Sequence, residues 1–311
     1  DLVRSRGLGD VYKRQGSGRA IHMGGMEYPA PFKSNIDYIS IPTTGNASDF
    51  GDLTQNMARG SGTSSATRGF CAGGDVPSKL DSIESVELQS LGNAADFGNL
   101  AATTTNMFSG VTASTTRGIF AGGMTPTKLN VLQYITMATA GNTTDFGDMS
   151  AAKYHGSNCG SNTRGIVGGG TTGSLLNVIE YVTIASTGDT TDFGDLTAAK
   201  SYLPATSSGT RGLFLGGSTP SGTDVIDYIT IASAGDAQDF GDLSAGRAGN
   251  SAISNSIRGL SMAGYQPWNT ELNIIEYVTI ASTGNMTDFG DMTSNSYRGN
   301  TASDSHGGLQ A

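Results

Sequence analysis

Thr191–Leu196 reads TDFGDL, and near copies recur along the chain: SDFGDL at Ser48–Leu53, ADFGNL at Ala95–Leu100, TDFGDM at Thr144–Met149, QDFGDL at Gln238–Leu243 and TDFGDM at Thr287–Met292. The phenylalanines, Phe50, Phe97, Phe146, Phe193, Phe240 and Phe289, lie 47, 49, 47, 47 and 49 residues apart. A period of about 40–50 residues marks a propeller or a solenoid, so it takes precedence over any single motif.

Outward from TDFGDL the unit resolves into strands. Arg164–Gly170, RGIVGGG, is a short apolar run ended by glycines, followed by the variable stretch TTGSLL. Asn177–Ile184, NVIEYVTI, is rich in β-branched and aromatic residues and reads as a strand. STGDT turns the chain into TDFGDL, and TAAK then leads into the more polar YLPATSSGT, closed by a turn at Thr210-Arg211-Gly212. Four short strands joined by glycine-rich turns predict a propeller blade. No segment carries apolar residues at helical spacing over three turns. The NVIEYVTI run is apolar on both faces, Val178, Val182 and Ile184 against Ile179 and Tyr181, as a blade buried between two neighbours requires.

The order R-G-x-F-x-G-G, variable loop, N-x-I-x-Y, turn, F-x-x-L, K/R resembles the kelch repeat over roughly residues 19–306. In that family a di-glycine ends the second strand, a Tyr sits in the third and a Trp-x-x-Leu/Met marks the fourth; here Phe stands for Trp in every copy. The phrases YVTIASTGN-x-TDFGDL and S-x-TRG-x-F-x-GG are also similar to repeat arrays in virion structural proteins of marine tailed phages. The resemblances imply a kelch-like β-propeller and, from the second, a place on a virion.

Repeats fall near 19–67, 68–116, 117–163, 164–210, 211–257 and 258–306, within one propeller domain over 16–311. The chain enters on a second strand, RAIHMGG, and leaves after a first strand, so pairing the two would close six four-stranded blades with no free edge. Ser5–Gln15, SRGLGDVYKRQ, matches a transposon-type sequencing adapter codon for codon, so residues 1–15 read as a cloning or assembly scar in place of the true N-terminus. Removing their four basic and two acidic residues from the chain's 18 and 27 takes the net charge from −9 to −11. That balance argues against a nucleic-acid surface, and no apolar run reaches the roughly 20 residues of a membrane span. Cys71 and Cys159 occupy non-equivalent places and read as unpaired thiols.

The repeated motif invites three chemical readings. A kinase Asp-Phe-Gly needs an H-R-D loop and a strand lysine, and the sequence has neither. Calcium would need converging oxygens; Asp189, Asp192 and Asp195 offer three, but Asn99 replaces the last in one copy. The third reading is structural. Phe193 and Leu196 are then buried pegs of an outer strand, Gly194 permits close approach, and Asp192, like Asp49, caps a turn. Arg68, Arg117, Arg164, Arg211 and Arg258 recur once per unit, and each is expected to pair with a motif aspartate on one face.

Catalysis finds little support. His22, His155 and His306 lack metal-ligand spacing and read as incidental or turn residues. No cofactor is implied, and the expectation is a non-enzyme. The loops after the di-glycines and the connections from fourth to first strand differ in every unit and should share one face. That face gathers Tyr28, Phe32, Phe108, Tyr154, Tyr202, Tyr265 and Trp268, aromatic residues suited to a protein or glycan ligand. Two functions are therefore expected in competition: a recognition module and a purely structural spacer.

Overall fold

The structure, a computed structural model, describes residues 18–27, 32–266 and 270–309. Residues 1–15 and the candidates Tyr28 and Trp268 lie outside them. The chain forms a six-bladed β-propeller. Blades are numbered here by their second strands: Arg19–Met23, Arg68–Ala72, Arg117–Ala121, Arg164–Gly168, Arg211–Leu215 and Arg258–Met262. In blade 4 the inner strand is Ser157–Gly160, the third Leu176–Thr183 and the outer Thr191–Lys200, all antiparallel in sequence order. Blade 3 departs slightly, its inner strand being split into Ser109–Gly110 and Thr112–Ala113. Closure uses both ends of the chain. Arg19–Met23 pairs antiparallel with Asn300–Ser303, Ile21 opposite Ala302, and the Asp304 carboxylate accepts from the Gly18 and Arg19 amides.

The hydrophobic core lies between blades. One cluster joins Ile179, Phe193 and Leu196 of blade 4 to Ile229 and Ile231 of blade 5; another joins Ile119, Leu132, Phe146 and Met149 of blade 3 to Val182 and Ile184 of blade 4. Phe193 owes its position to a bulge: Ile179 faces Gly194 while Glu180 faces Asp192, so the intervening side chain turns inward and is 2% exposed. Burying such a ring contributes about 1.5–3 kcal/mol.

The rest of the motif docks the next blade. The Gly235 amide of blade 5 donates to the Phe193 carbonyl of blade 4, and the Asp236 carboxylate accepts from the Asp195 amide at 3.0 Å. Asn46, Asn93, Asn142, Asp189 and Asn285 make the same contact at the other boundaries, including the closing one, where Asn46 accepts from Asp291. Gly194 sits at φ +142° under this turn, and a Cβ there would come within 2.6 Å of Gly235.

These contacts correct two expectations. Asp189 is a turn residue serving the preceding blade, Asp192 and Asp195 are exposed, and no group of three or more metal-binding side chains converges among the described residues. The calcium reading therefore fails on geometry. The expected arginine–aspartate ring is also absent among the described residues. The arginines instead span to the next blade. Arg164 Nη1 donates to the Ile231 carbonyl at 2.9 Å, its guanidinium lying 4.4 Å over the Tyr181 ring. Arg117, Arg211 and Arg258 repeat this on Tyr134, Tyr228 and Tyr277. Arg68 is the exception for a visible reason. Blade 2 has Ser85 where the others have tyrosine, and Arg68 pairs with Glu87 of its own blade instead.

Around the axis, hydroxyls of the inner strands tie neighbouring blades together. Ser64, Ser303, Ser254 and Ser207 donate in turn to the carbonyls of Ser303, Ser254, Ser207 and Gly160, and Thr63 and Thr112 complete the circuit through Thr112 and Cys159. Cys71 and Cys159 are buried free thiols. No described helix is long and apolar enough to cross a membrane.

Candidate functional site

Isolated bridges join each fourth-to-first connection to the loop after the di-glycine of the blade it enters, for example Tyr154 with Thr171 and Ala248 with Tyr265. The two variable loop classes therefore share one face. At its centre the connections meet in a collar. The Arg298 amide donates to the Gly249 carbonyl, Gly249 to Tyr202, Tyr202 to His155, His155 to Asn106, and Arg59 back to Arg298; Met107, one residue past Asn106, donates to Arg59 and closes the circle. Aiming each carbonyl at the next blade places all six collar residues in the left-handed region, at φ 63° for Arg59, 55° for Asn106, 56° for His155, 54° for Tyr202, 61° for Gly249 and 56° for Arg298.

This conformation costs a residue with a Cβ roughly 1–2 kcal/mol, and glycine nearly nothing. Only one of six equivalent positions uses glycine. The backbone accounts for the left-handed turns but not for two arginines, a histidine and a tyrosine occupying them.

Those side chains line a cavity of about 40 Å³ at the collar, together with Asn106 and Asn250. His155 stacks on Tyr202, centroids 3.8 Å apart, and the Arg298 guanidinium lies 4.4 Å over the same tyrosine ring. Arg59 pairs with Asp75 at 3.0 Å. Arg298 has no ion-pair partner among the described residues, and its buried Nε has no hydrogen-bond acceptor. Both ring nitrogens of His155 are likewise buried without a partner. Burial, with Arg298 and Arg59 adding repulsion, pushes the His155 pKa down to about 2, so the imidazole is neutral. Burial raises the Tyr202 hydroxyl.

The structure separates the aromatic candidates. Tyr202 lines the cavity, Tyr154 packs on His155 with centroids 4.5 Å apart, and Tyr265 meets Tyr297 edge-on at 5.4 Å. Phe32 is half-buried, 6.0 Å from the Arg59 guanidinium. Phe108 is not on the face at all. It is fully buried between blades 3 and 4 against Ile119 and Val167, because its connection turns the ring into the core. All three histidines are buried, and two of them, His155 and His306, lie in bends of the chain. His22 lies in the second strand of blade 1, and His306 anchors the C-terminal turn, its Nε2 2.9 Å from the Ser64 carbonyl and its Nδ1 accepting from the Gly308 amide.

Arg59, Asn106 and Arg298 escape a search for aromatic loops, whereas Tyr297 is one more such aromatic, in the connection that enters blade 1. Aligning the units on their period sets the collar in one column reading Arg, Asn, His, Tyr, Gly, Arg, but its neighbours vary just as much, so the column does not stand out by sequence. A second hollow, on the opposite face, is lined by the repeated hairpin turns Ser161–Arg164 and Ser208–Thr210, and its arginine is already engaged with the next blade. No protein-family model matches the chain, and no curated protein matches it.

Proposed function

We propose that the chain is a non-catalytic recognition module of a virion, binding a cell-surface glycan on the variable-loop face with the axial collar at its centre. The observation that carries this reading is the collar: Arg59, His155, Tyr202 and Arg298 hold left-handed positions that glycine would fill at lower cost. A spacer has no use for that expense. Rings beside the collar, Tyr154, Tyr265 and Tyr297, are half-buried and supply flat amphipathic surfaces of the kind that stack on sugars. Virion placement rests on the similarity of the repeat wording to marine tailed-phage arrays, and the kelch-like order of landmarks agrees with a propeller that presents ligands on loops. Non-catalysis rests on the site's chemistry. His155 is a weak base, its pKa pushed down to about 2 by burial and the nearby arginines, and no carboxylate among the described residues orients its ring.

A glycan array probed with wild-type protein and Tyr265→Ala tests the proposal. Selective binding by the wild type, weakened by the substitution, is expected. Absence of binding to every glycan would return the chain to the spacer reading.

A further inference from the structure

The collar cavity has a charge imbalance. Two guanidiniums, Arg59 and Arg298, converge on it; Asp75 pairs with Arg59, and the Glu271 carboxylate lies within electrostatic range of the neighbouring Tyr297 without an ion pair to Arg298. Arg298 has no carboxylate within ion-pair distance among the described residues. This surplus stands at the axis of a chain whose net charge is −9. Both arginines are half-buried, but their Nε atoms are shut away from solvent without an acceptor, and a buried donor left unpaired costs free energy that an anion can offset. Partnerless polar atoms surround the same spot: Nδ1 and Nε2 of His155, Nε of Arg59, Nε of Arg298 and Oδ1 of Asn250. Among them the arginine nitrogens can only donate, and a neutral imidazole offers one further N–H.

Resting on the glycan-binding reading, we propose that the collar is an anion subsite that receives the carboxylate of an acidic sugar, with Arg298 as its principal partner. The planar guanidinium matches a carboxylate with two parallel hydrogen bonds. Size agrees. About 40 Å³ leaves room for a carboxylate to reach the arginines while its sugar ring packs at the mouth. There the half-buried Tyr154, Tyr265 and Tyr297 offer it aromatic surface. The exposed aspartates of the outer strands, Asp49, Asp192 and Asp288 among them, disfavour a dense polyanion. A glycan with one acidic residue at an end or branch suits this field better than a polyuronate.

Calorimetric titration of the full chain with three matched oligosaccharides tests the assignment: one ending in glucuronate, its methyl ester, and the neutral glucose counterpart. A glutamate-rich peptide and a singly sulfated oligosaccharide form the other arms. Wild-type protein should bind the glucuronate form, and esterification, neutralisation or Arg298→Gly should each weaken binding roughly tenfold or more, the loss of a charge-assisted pair. Arg298→Gly is the informative variant because the collar backbone accepts glycine, and unchanged circular dichroism will show that it folds. Equal affinity for all three oligosaccharides, or indifference to Arg298→Gly, would overturn the carboxylate subsite and leave glycan binding standing. Preference for the sulfated probe would overturn the carboxylate assignment in favour of another anion. Binding of the peptide alone would overturn both the subsite and the glycan reading, and binding of nothing would do the same.

Discussion

Lys153 is a lysine in the core of the ring. Its side chain is 1% exposed, and it meets Glu180 of the next blade, 2% exposed, at 2.5 Å. The same position pairs Lys200 with Asp227 and Arg247 with Glu276, both buried. Elsewhere in this chain the column reads differently. Thr104 stands where Lys153 does, and opposite it Gln133 replaces the glutamate, accepting from the Ala101 amide and the Thr143 hydroxyl. Replacing Lys153 by threonine alone strands a buried carboxylate and should cost about 3–5 kcal/mol. Copying the neutral pair completely, with Lys153→Thr and Glu180→Gln, should recover most of that loss. Glu180 would keep its amide bond from Ser150 and its hydroxyl bond from Thr190 in the glutamine form, as Gln133 does. Urea denaturation of wild type, both single variants and the double variant gives the coupling directly. A Lys153→Thr loss below about 1 kcal/mol, typical of an exposed pair, would refute the reasoning. So would a double variant as unstable as the single one.

Two further perturbations follow from the ring. Gly194→Ala places a Cβ 2.6 Å from Gly235 in the next blade at φ +142°, and thermal melting should show it to be more destabilising than Ala→Gly changes elsewhere on the exposed outer strands. His306 has its pKa lowered from 6.5 to about 4 by burial, so the unfolded chain takes up a proton that the folded chain refuses. Its contribution is whole above about pH 6.5 and falls by about 3 kcal/mol as the pH drops to about 4. His22 and His155, also depressed by burial, steepen the same acid limb. His306→Gln should therefore flatten the pH dependence of urea midpoints between those values, and an unchanged slope would count against a buried neutral imidazole.

Much of the fold was legible because symmetry writes it repeatedly. The phenylalanine ruler, the di-glycines after five second strands (Ala263-Gly264 in the sixth) and the entry and exit strands fixed six blades and their closure. What failed were the contacts between blades. Arg164 lies far in sequence from the Ile231 carbonyl it reaches, and spacing within one unit cannot reveal a partner in the next. The same holds for Asp189, whose carboxylate serves the Asp148 amide rather than a metal or its own turn. The collar was hidden for a different reason. Its residues sit in loops whose aromatic members drew attention, and Phe108 shows that an aromatic ring in such a loop can equally turn into the core. The distinguishing property of Arg59, His155, Tyr202 and Arg298 is a backbone angle, which composition does not disclose.

The collar keeps arginines where its backbone favours glycine, and under the proposed function a ligand is what holds them there. The double variant Arg59→Gly/Arg298→Gly tests that role most directly, with stability by urea denaturation and glycan binding measured on the same preparation. Relief of the left-handed turns, roughly 1–2 kcal/mol at each site, is offset by glycine's larger unfolded-state entropy, about 0.5–1 kcal/mol, and by the lost Arg59–Asp75 pair and Arg298–Tyr202 contact, each about 1 kcal/mol or less. By that balance, stability should be unchanged to within about 1–2 kcal/mol while binding is lost. A variant that still binds as wild type does, or one that unfolds outright, would contradict that role.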